Sequence, residues 1–269
     1  MLTASLVGAL GLCAVVGTTP YKVDPALDGV LTAGLLTFIL VEEEAVQPTL
    51  AGGFTCPVVS GGNYCDKSKL NFLDRSVVGN NSASWRLVSD VGQYSAWALP
   101  VALTSLDAWL SDSRTPFSDF ASETLVMGEA VSLATTVTVL TKFAIRRPRP
   151  AEYSPDRASN SVDQQVSFMS GHATSTASAS TAYATTFWLK HPDSPARFVV
   201  LGGAILLTGL VAYGRVGGGM HFYSDVFAGA AVGGVIGWLV PIYHRADPTP
   251  AFSVQPLPGG AALSWHTEF

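Results

Sequence analysis

The sequence predicts an all-α chain, a helical bundle that spans a membrane. Two observations carry this prediction. Only 13 % of the 269 residues are charged, about half the usual share, and mean hydropathy is positive. The second half of the chain also divides into apolar stretches of helical length joined by short polar segments, with no internal repeat and no heptad pattern.

Residues 1–18 are apolar and uncharged. They read as a signal peptide or an uncleaved first membrane helix; the Lys or Arg usual near the start of a signal is missing. Residues 26–41 are a second apolar stretch ended by Glu42 and its two acidic neighbours, short of the about 20 residues that a span takes. Residues 45–85 are rich in Gly, Ser and Asn and predict an extended loop, with a short helix around Leu70–Val78. Within that loop Cys56 and Cys65 either close a short disulfide in an exported region or remain two free thiols. No zinc-ligand spacing is present.

Helices are predicted over 87–110, 122–145, 172–189, 196–214 and 223–243, the first interrupted by Asp90 and Pro100. The second and third are rich in Ser, Thr and Ala, small residues that let helices approach closely. Val199–Val211 and Val226–Val240 read as lipid-facing, and Gly229, Gly233 and Gly237 make a Gly-xxx-Gly contact face. The Pro-rich tail is either a small hairpin or a disordered end. The organisation is therefore a leader or first helix at 1–25, N-terminal helices and loop at 26–121, a catalytic core at 122–243 and a tail at 244–269.

The net charge of −5 argues against a nucleic-acid binder. Yet Lys142, Arg146, Arg147, Arg149 and Arg157 crowd into one short segment, and a cationic patch on an acidic protein suits a small anionic substrate. Lys142 ends a helix, and Pro148 and Pro150 stiffen the exit. Arg149 then offers a planar fork and Lys142 a point charge, the pair that steadies a phosphoryl group. Arg146 and Arg147 read as a basic flank at a membrane surface. Ser170–Gly171–His172 opens the next helix, where Gly171 and free backbone N–H groups accommodate an anion. Ser170 is the expected cap, and His172 is placed to donate a proton.

Arg215 leads a Gly-rich loop to His221, and Asp225 follows four residues later. At a helix start that spacing brings the pair together. Asp225 would accept from His221 Nδ1 and leave Nε2 as a nucleophile. His191, His244 and His266 read as surface or interface residues, and nothing singles out Asp24, Asp28 or Asp74.

These residues resemble the type 2 phosphatidic acid phosphatase (PAP2) superfamily, which includes bacterial acid phosphatases and vanadium haloperoxidases. The motifs stand here as Lys142-x6-Arg149-Pro150, Ser170-Gly171-His172 and Arg215-x5-His221-x3-Asp225. Met169 stands where the family has Pro, and Gly214 where it has Ser.

The resemblance implies a six-helix core. It implies attack by His221 to form a phosphohistidine, orientation by Asp225 and protonation of the leaving oxygen by His172. Phosphate would be bound by Lys142, Arg149, Ser170, Gly171 and Arg215, with no metal and no cofactor. Two histidines in opposite protonation states predict a bell-shaped pH profile.

The substrate expected on this reading is a lipid phosphate or diphosphate at a bacterial-type inner membrane. Alternatives are a soluble periplasmic acid phosphatase, a vanadium haloperoxidase and an inactive membrane scaffold. Arg114, Lys190, Arg197 and Arg245 sit at the helix ends opposite the clusters, which by the positive-inside rule turns the catalytic face to the periplasm. A cleaved signal followed by a spanning 26–41 would reverse that orientation.

Overall fold

The computed structural model describes residues 19–42, 55–111, 113–159 and 161–246, and the backbone of 253–257 and 260–264. The expected leader or first helix at 1–18, with Cys13, and His266 fall outside the described residues. Among the described residues six long helices follow in order: α1 (Pro25–Val41), α2 (Ala83–Leu110), α3 (Pro116–Ile145), α4 (Gly171–Lys190), α5 (Ala196–Gly217) and α6 (Tyr223–Tyr243). The tail carries an antiparallel hairpin, Ser253–Leu257 paired with Gly260–Ser264.

Each helix starts where its chemistry dictates. Asp24 caps α1, accepting from the Ala26 and Leu27 N–H groups at 3.0 and 3.1 Å, with Pro25 in the first turn. Ser82 caps α2 and Ser170 caps α4, each satisfying an N–H that the first turn leaves unpaired. α2 runs through Asp90 and Pro100 without a break, so the two expected interruptions do not divide it. α5 extends to Gly217, which places Arg215 in its last turn rather than in a loop. The turn that follows depends on Gly219, whose φ of +69° suits glycine and whose missing side chain leaves room for the Asn80 carbonyl.

α4 is the central helix and packs on α2, α3, α5 and α6, while α1 lies against α3. Its Ser, Thr and Ala residues are buried almost end to end, so their small size serves close packing. The Gly229–Gly233–Gly237 face of α6 is what meets them. A Cβ on Gly229 would lie 2.7 Å from Thr174 Oγ1, one on Gly233 would collide with the Thr174 carbonyl, and one on Gly237 with that of Ser178. Gly233→Ala is expected to destabilise the fold by about 1–3 kcal/mol through overpacking. Gly203, on an open face of α5 with nothing within 4 Å, is the control: its Ala variant should melt at or above the wild-type temperature in the same detergent.

Among the described residues, three stretches are long and apolar enough to cross a membrane: Pro116–Tyr153, Ala196–Gly217 and Tyr223–Tyr243. The most apolar window of Ala196–Gly217 is only 6 % buried; Phe198, Val199, Ile205 and Leu206 all point outward. α6 is two-sided, with Phe227, Val235, Trp238 and Leu239 exposed opposite its glycine face.

Lys190 does not flank a membrane surface. It is buried between Asp107 and Glu123, with Nζ 2.9 Å from Glu123 Oε1. Beside it His191 is buried and faces Asp107, and His244 is buried at the end of α6. Neither histidine is the surface residue that the sequence suggested, because the polar bolts inside this bundle leave no periodic signal.

The loop before α2 folds over one end of the bundle. Cys56 and Cys65 form a disulfide, and Cys65 N–H donates to the Glu152 carbonyl at 2.8 Å. Cys65, Leu70, Val77, Tyr153, Val216 and Phe222 make a small core there. The expected helix around Leu70–Val78 is a single turn, Phe72–Arg75, and it turns Asp74 inward to 1 % exposure.

Candidate active site

That same end of the bundle holds a cavity of about 480 Å³. Its lining includes Lys142 from the last turn of α3, Arg149 from the Pro-rich exit, Gly171 and His172 from the start of α4, Arg215 from the end of α5, and His221. Five elements separated by many residues thus converge on one small volume. Of the residues predicted from sequence, Ser170 and Asp225 are fully buried just behind it. Ser170 Oγ accepts from Ala173 N at 3.5 Å, and the Ser170 N–H donates to the Asp225 carbonyl at 3.2 Å.

The cations are held on one side. Arg149 donates through Nε to the Asp163 carbonyl and through Nη2 to Asp163 Oδ1, both at 2.9 Å, and through Nη1 to the Met220 carbonyl at 3.4 Å. Arg215 Nη1 donates to Asp90 Oδ1 at 3.1 Å. Its Nε is buried with no partner among the described residues. The ammonium of Lys142 lies 3.9 Å from where a Gly171 Cβ would stand, so the missing side chain keeps the helix start open beneath that charge.

His221 sits just before α6, not on it. Its Nδ1 donates to the Ser167 carbonyl at 2.8 Å, while Asp225 Oδ2 is 3.8 Å away. The direct imidazole–carboxylate hydrogen bond expected from the four-residue spacing is replaced by an indirect one. Asp225 is the third residue of α6 and folds back to accept the Phe222 N–H at 2.9 Å. It also accepts from Ser167 Oγ at 2.6 Å, and Ser167 carries the carbonyl that holds the ring. Either way Nδ1 is committed, which leaves Nε2 for the cavity. Burial, with Arg149 and Arg215 nearby, lowers the His221 pKa to about 3 against the pull of Asp225, so the imidazole is neutral at physiological pH.

His172 is held differently. Its Nε2 lies 2.9 Å from Asp90 Oδ1 and 3.4 Å from Arg215 Nη1. Burial first, then the Arg215 charge, lowers its pKa to about 4, with Asp90 opposing. An anion entering the cavity offsets the Arg215 charge and favours the imidazolium.

Four groups important to this geometry were not singled out by the sequence reading. Asp90, expected only to interrupt a helix, bridges His172 and Arg215. Asp163 orients Arg149. Ser167 fixes the His221 ring. Asp74 pairs with Arg147 Nη2 at 2.8 Å and accepts from Ser224 Oγ at 2.6 Å.

Arg147 is therefore no membrane flank. It bridges Asp74 and Asp225, donates to Ser224 Oγ at 2.6 Å and lies 4.4 Å over the Phe222 ring. Burial alone would raise the Asp74 pKa, but the hydrogen bonds from Ser224 and Arg147 outweigh it and hold the carboxyl below its ordinary value. A Ser two residues before Met169 and an Arg just before Pro148 are too common in sequences to signal a site alone.

The model of the PAP2 superfamily matches residues 123–248, a little under half of the chain. Decaprenylphosphoryl-5-phosphoribose phosphatase of two Mycobacterium tuberculosis strains is 31 % identical over 118 residues, 44 % of this chain. The match spans 59 % of the length of those relatives.

Among solved structures, the transmembrane PAP2-type phosphatidylglycerolphosphate phosphatase of Bacillus subtilis is 20 % identical. Its TM-score is 0.47, with 80 % of this chain and 96 % of that one covered. LpxE of Aquifex aeolicus is 20 % identical with a TM-score of 0.42, covering 62 % and 92 %.

Proposed function

We propose that this chain is a membrane phosphatase of the PAP2 type that hydrolyses the phosphate monoester of a lipid-linked substrate. The observation that carries the proposal is the composition of the cavity wall. Beyond the cations and histidines, the same cavity is lined by Leu36, Ile39, Trp97, Val131, Val139 and Phe143. A phosphate head fits one end and an apolar chain the other, among helices long enough to lie in a bilayer. The relatives named for a decaprenylphosphoryl substrate support the same class.

In the proposed reaction His221 Nε2 attacks phosphorus, the bond from phosphorus to the leaving oxygen breaks, and His172 delivers a proton to that oxygen. The product is a phosphohistidine. Water then attacks phosphorus, its proton passes to His172, and the bond to Nε2 breaks to free inorganic phosphate. Lys142, Arg149 and Arg215, with the Gly171 backbone at the start of α4, bind the phosphoryl oxygens and offset their charge, so no metal is required for the step; Ser170, whose N–H is committed to the Asp225 carbonyl, caps the helix behind them. The disulfide beside the cavity supports placing this end in an oxidising compartment, the periplasm in a bacterial cell.

The test is phosphate release in detergent with EDTA, from long-chain lipid phosphates and from soluble esters side by side. Release confined to the lipids supports the proposal. Equal turnover of soluble esters would favour a general acid phosphatase, and no release from any of them would end the phosphatase reading.

The neutral state of His221 has a consequence for pH. Because its folded pKa lies far below the ordinary value, protonation should not silence the nucleophile above about pH 5. The acidic limb of kcat/KM should follow the ionisation of the substrate phosphate alone. A limb near 6.5 that stays fixed when the substrate is changed would contradict this.

Asp90→Asn removes the charge that favours the protonated form of His172. Turnover of an alkyl phosphate should fall by about 10- to 100-fold, while an aryl phosphate with a good leaving group loses much less. Equal losses on both substrates would mean that Asp90 acts on binding and not on the proton.

A further inference from the structure

The far end of the bundle holds a second cluster of ionisable groups that the phosphatase reading does not use. Asp28 from the first turn of α1, Glu129 from the middle of α3 and His244 at the end of α6 bring their ligand atoms within 4.8 Å of one another. All three are buried, at 9 %, 8 % and 5 % exposure. Asp225 and His244 lie near opposite ends of α6, so His244 stands roughly 28 Å from Asp225 at about 1.5 Å per residue, while Val131 and Ser132 bring the apolar end of the cavity lining to within a turn of Glu129 on α3.

We propose that Asp28, Glu129 and His244 form a structural site for one divalent first-row metal ion, of the zinc or manganese type. Three observations point to a ligand here. Glu129 Oε2 is buried with no hydrogen-bond partner among the described residues. His244 Nδ1 donates to the Val240 carbonyl at 2.9 Å, which fixes the ring and leaves the Nε2 lone pair directed at the carboxylates; metal-binding histidines are oriented in this way. Thr32 is one turn on from Asp28 and packs against Gly128, and its Oγ1 is a second buried oxygen without a partner.

The distances separate a metal site from an ion pair. His244 Nε2 is 3.4 Å from Glu129 Oε2 and 3.7 Å from Asp28 Oδ2. Those separations are long for N–H···O hydrogen bonds, which run at about 2.7–3.2 Å. Donors around an ion at about 2.1 Å stand roughly 3.0–3.4 Å apart, so a small inward movement of each ligand closes the site. Charge agrees as well. Two buried carboxylates are opposed by no lysine or arginine ion pair among the described residues, and uncompensated buried charge is costly.

One divalent ion would neutralise them. Imidazole among the ligands favours a first-row transition metal over magnesium or calcium. Such an ion would clip α1 onto α3 and α6, next to the point where Lys22 N–H donates to the His244 carbonyl at 2.8 Å.

The full chain, purified in detergent, stripped with EDTA and desalted, would be titrated with ZnCl2 or MnCl2. Bound metal is read by elemental analysis and stability by thermal melting. The expected result is one ion per chain and a Tm rise of about 5–10 °C at a hundredfold excess over Kd. Glu129→Gln and His244→Gln, shown by circular dichroism to keep their helix content, should lose both the stoichiometric ion and the shift.

No bound ion and no shift in the wild type would overturn the proposal. So would an equal shift in both variants, which would place the ion elsewhere. If the variants do not fold, X-ray absorption of the zinc-loaded wild type decides. One imidazole nitrogen with carboxylate oxygens supports the site, and sulfur or several imidazoles would overturn it.

Discussion

His221→Ala is expected to lower kcat on a lipid phosphate by at least about 10³-fold while the protein still folds and still binds its substrate. The reasoning rests on which contacts the substitution removes. Nε2 of His221 is the nitrogen left for the cavity, and no other imidazole among the described residues can take its place, because His172 Nε2 is engaged by Asp90 and Arg215. The three cations remain, so KM should change little. The fold should tolerate the loss because Asp225 keeps its bonds from Ser167, Phe222 and Arg147. Steady-state kinetics and a thermal melt on the same preparation check both halves. Residual turnover within tenfold of wild type would remove His221 from the chemistry.

Arg147→Met is expected to be the most damaging substitution outside the cavity. Asp74 and Asp225 are at 1 % and 0 % side-chain exposure, and Arg147 is the cation between them. Its loss leaves two carboxylates buried without compensation, which costs about 3–5 kcal/mol when a buried pair is broken. Activity should fall too, since Asp225 positions Ser167, and the Ser167 carbonyl holds the His221 ring.

Arg147→Lys distinguishes the two effects. It keeps the charge but lacks the planar fork that reaches Asp74, Ser224 and Asp225 from two nitrogens. Much of the stability should return while kcat stays at least about tenfold low. A Met variant that melts with the wild type would show that the clamp is not structural.

The six helices and the eight motif residues were legible in the sequence because each leaves a local mark. Apolar runs, capping Asp and Ser residues, prolines at helix starts and glycines spaced by four all act over a few positions. What stayed hidden depends on contacts between distant segments. Asp74 reaches Ser224 and Arg147 across more than seventy residues, and Asp90 reaches His172 across eighty-two.

A lone Asp in a polar loop, or an Asp in the middle of a helix, looks the same in sequence whether it faces solvent or a buried arginine. Lys190 and His191 misled for the same reason. At a helix end they resemble surface residues, and only the packing of α2 and α3 around them makes them interior. The four-residue spacing of His221 and Asp225 put the two side together correctly, yet it could not reveal that the helix begins between them. That boundary turns Asp225 toward the Phe222 N–H and lets Ser167 mediate.

Trapping the covalent intermediate asks whether His221 carries the phosphoryl group during turnover. The enzyme would be mixed with a lipid phosphate in EDTA, quenched in alkali during turnover, digested and mapped by mass spectrometry. One phosphoryl group is expected on the peptide carrying His221, removed on further incubation and absent from His221→Ala. Steady turnover with phosphate on another residue, or on none, would contradict it.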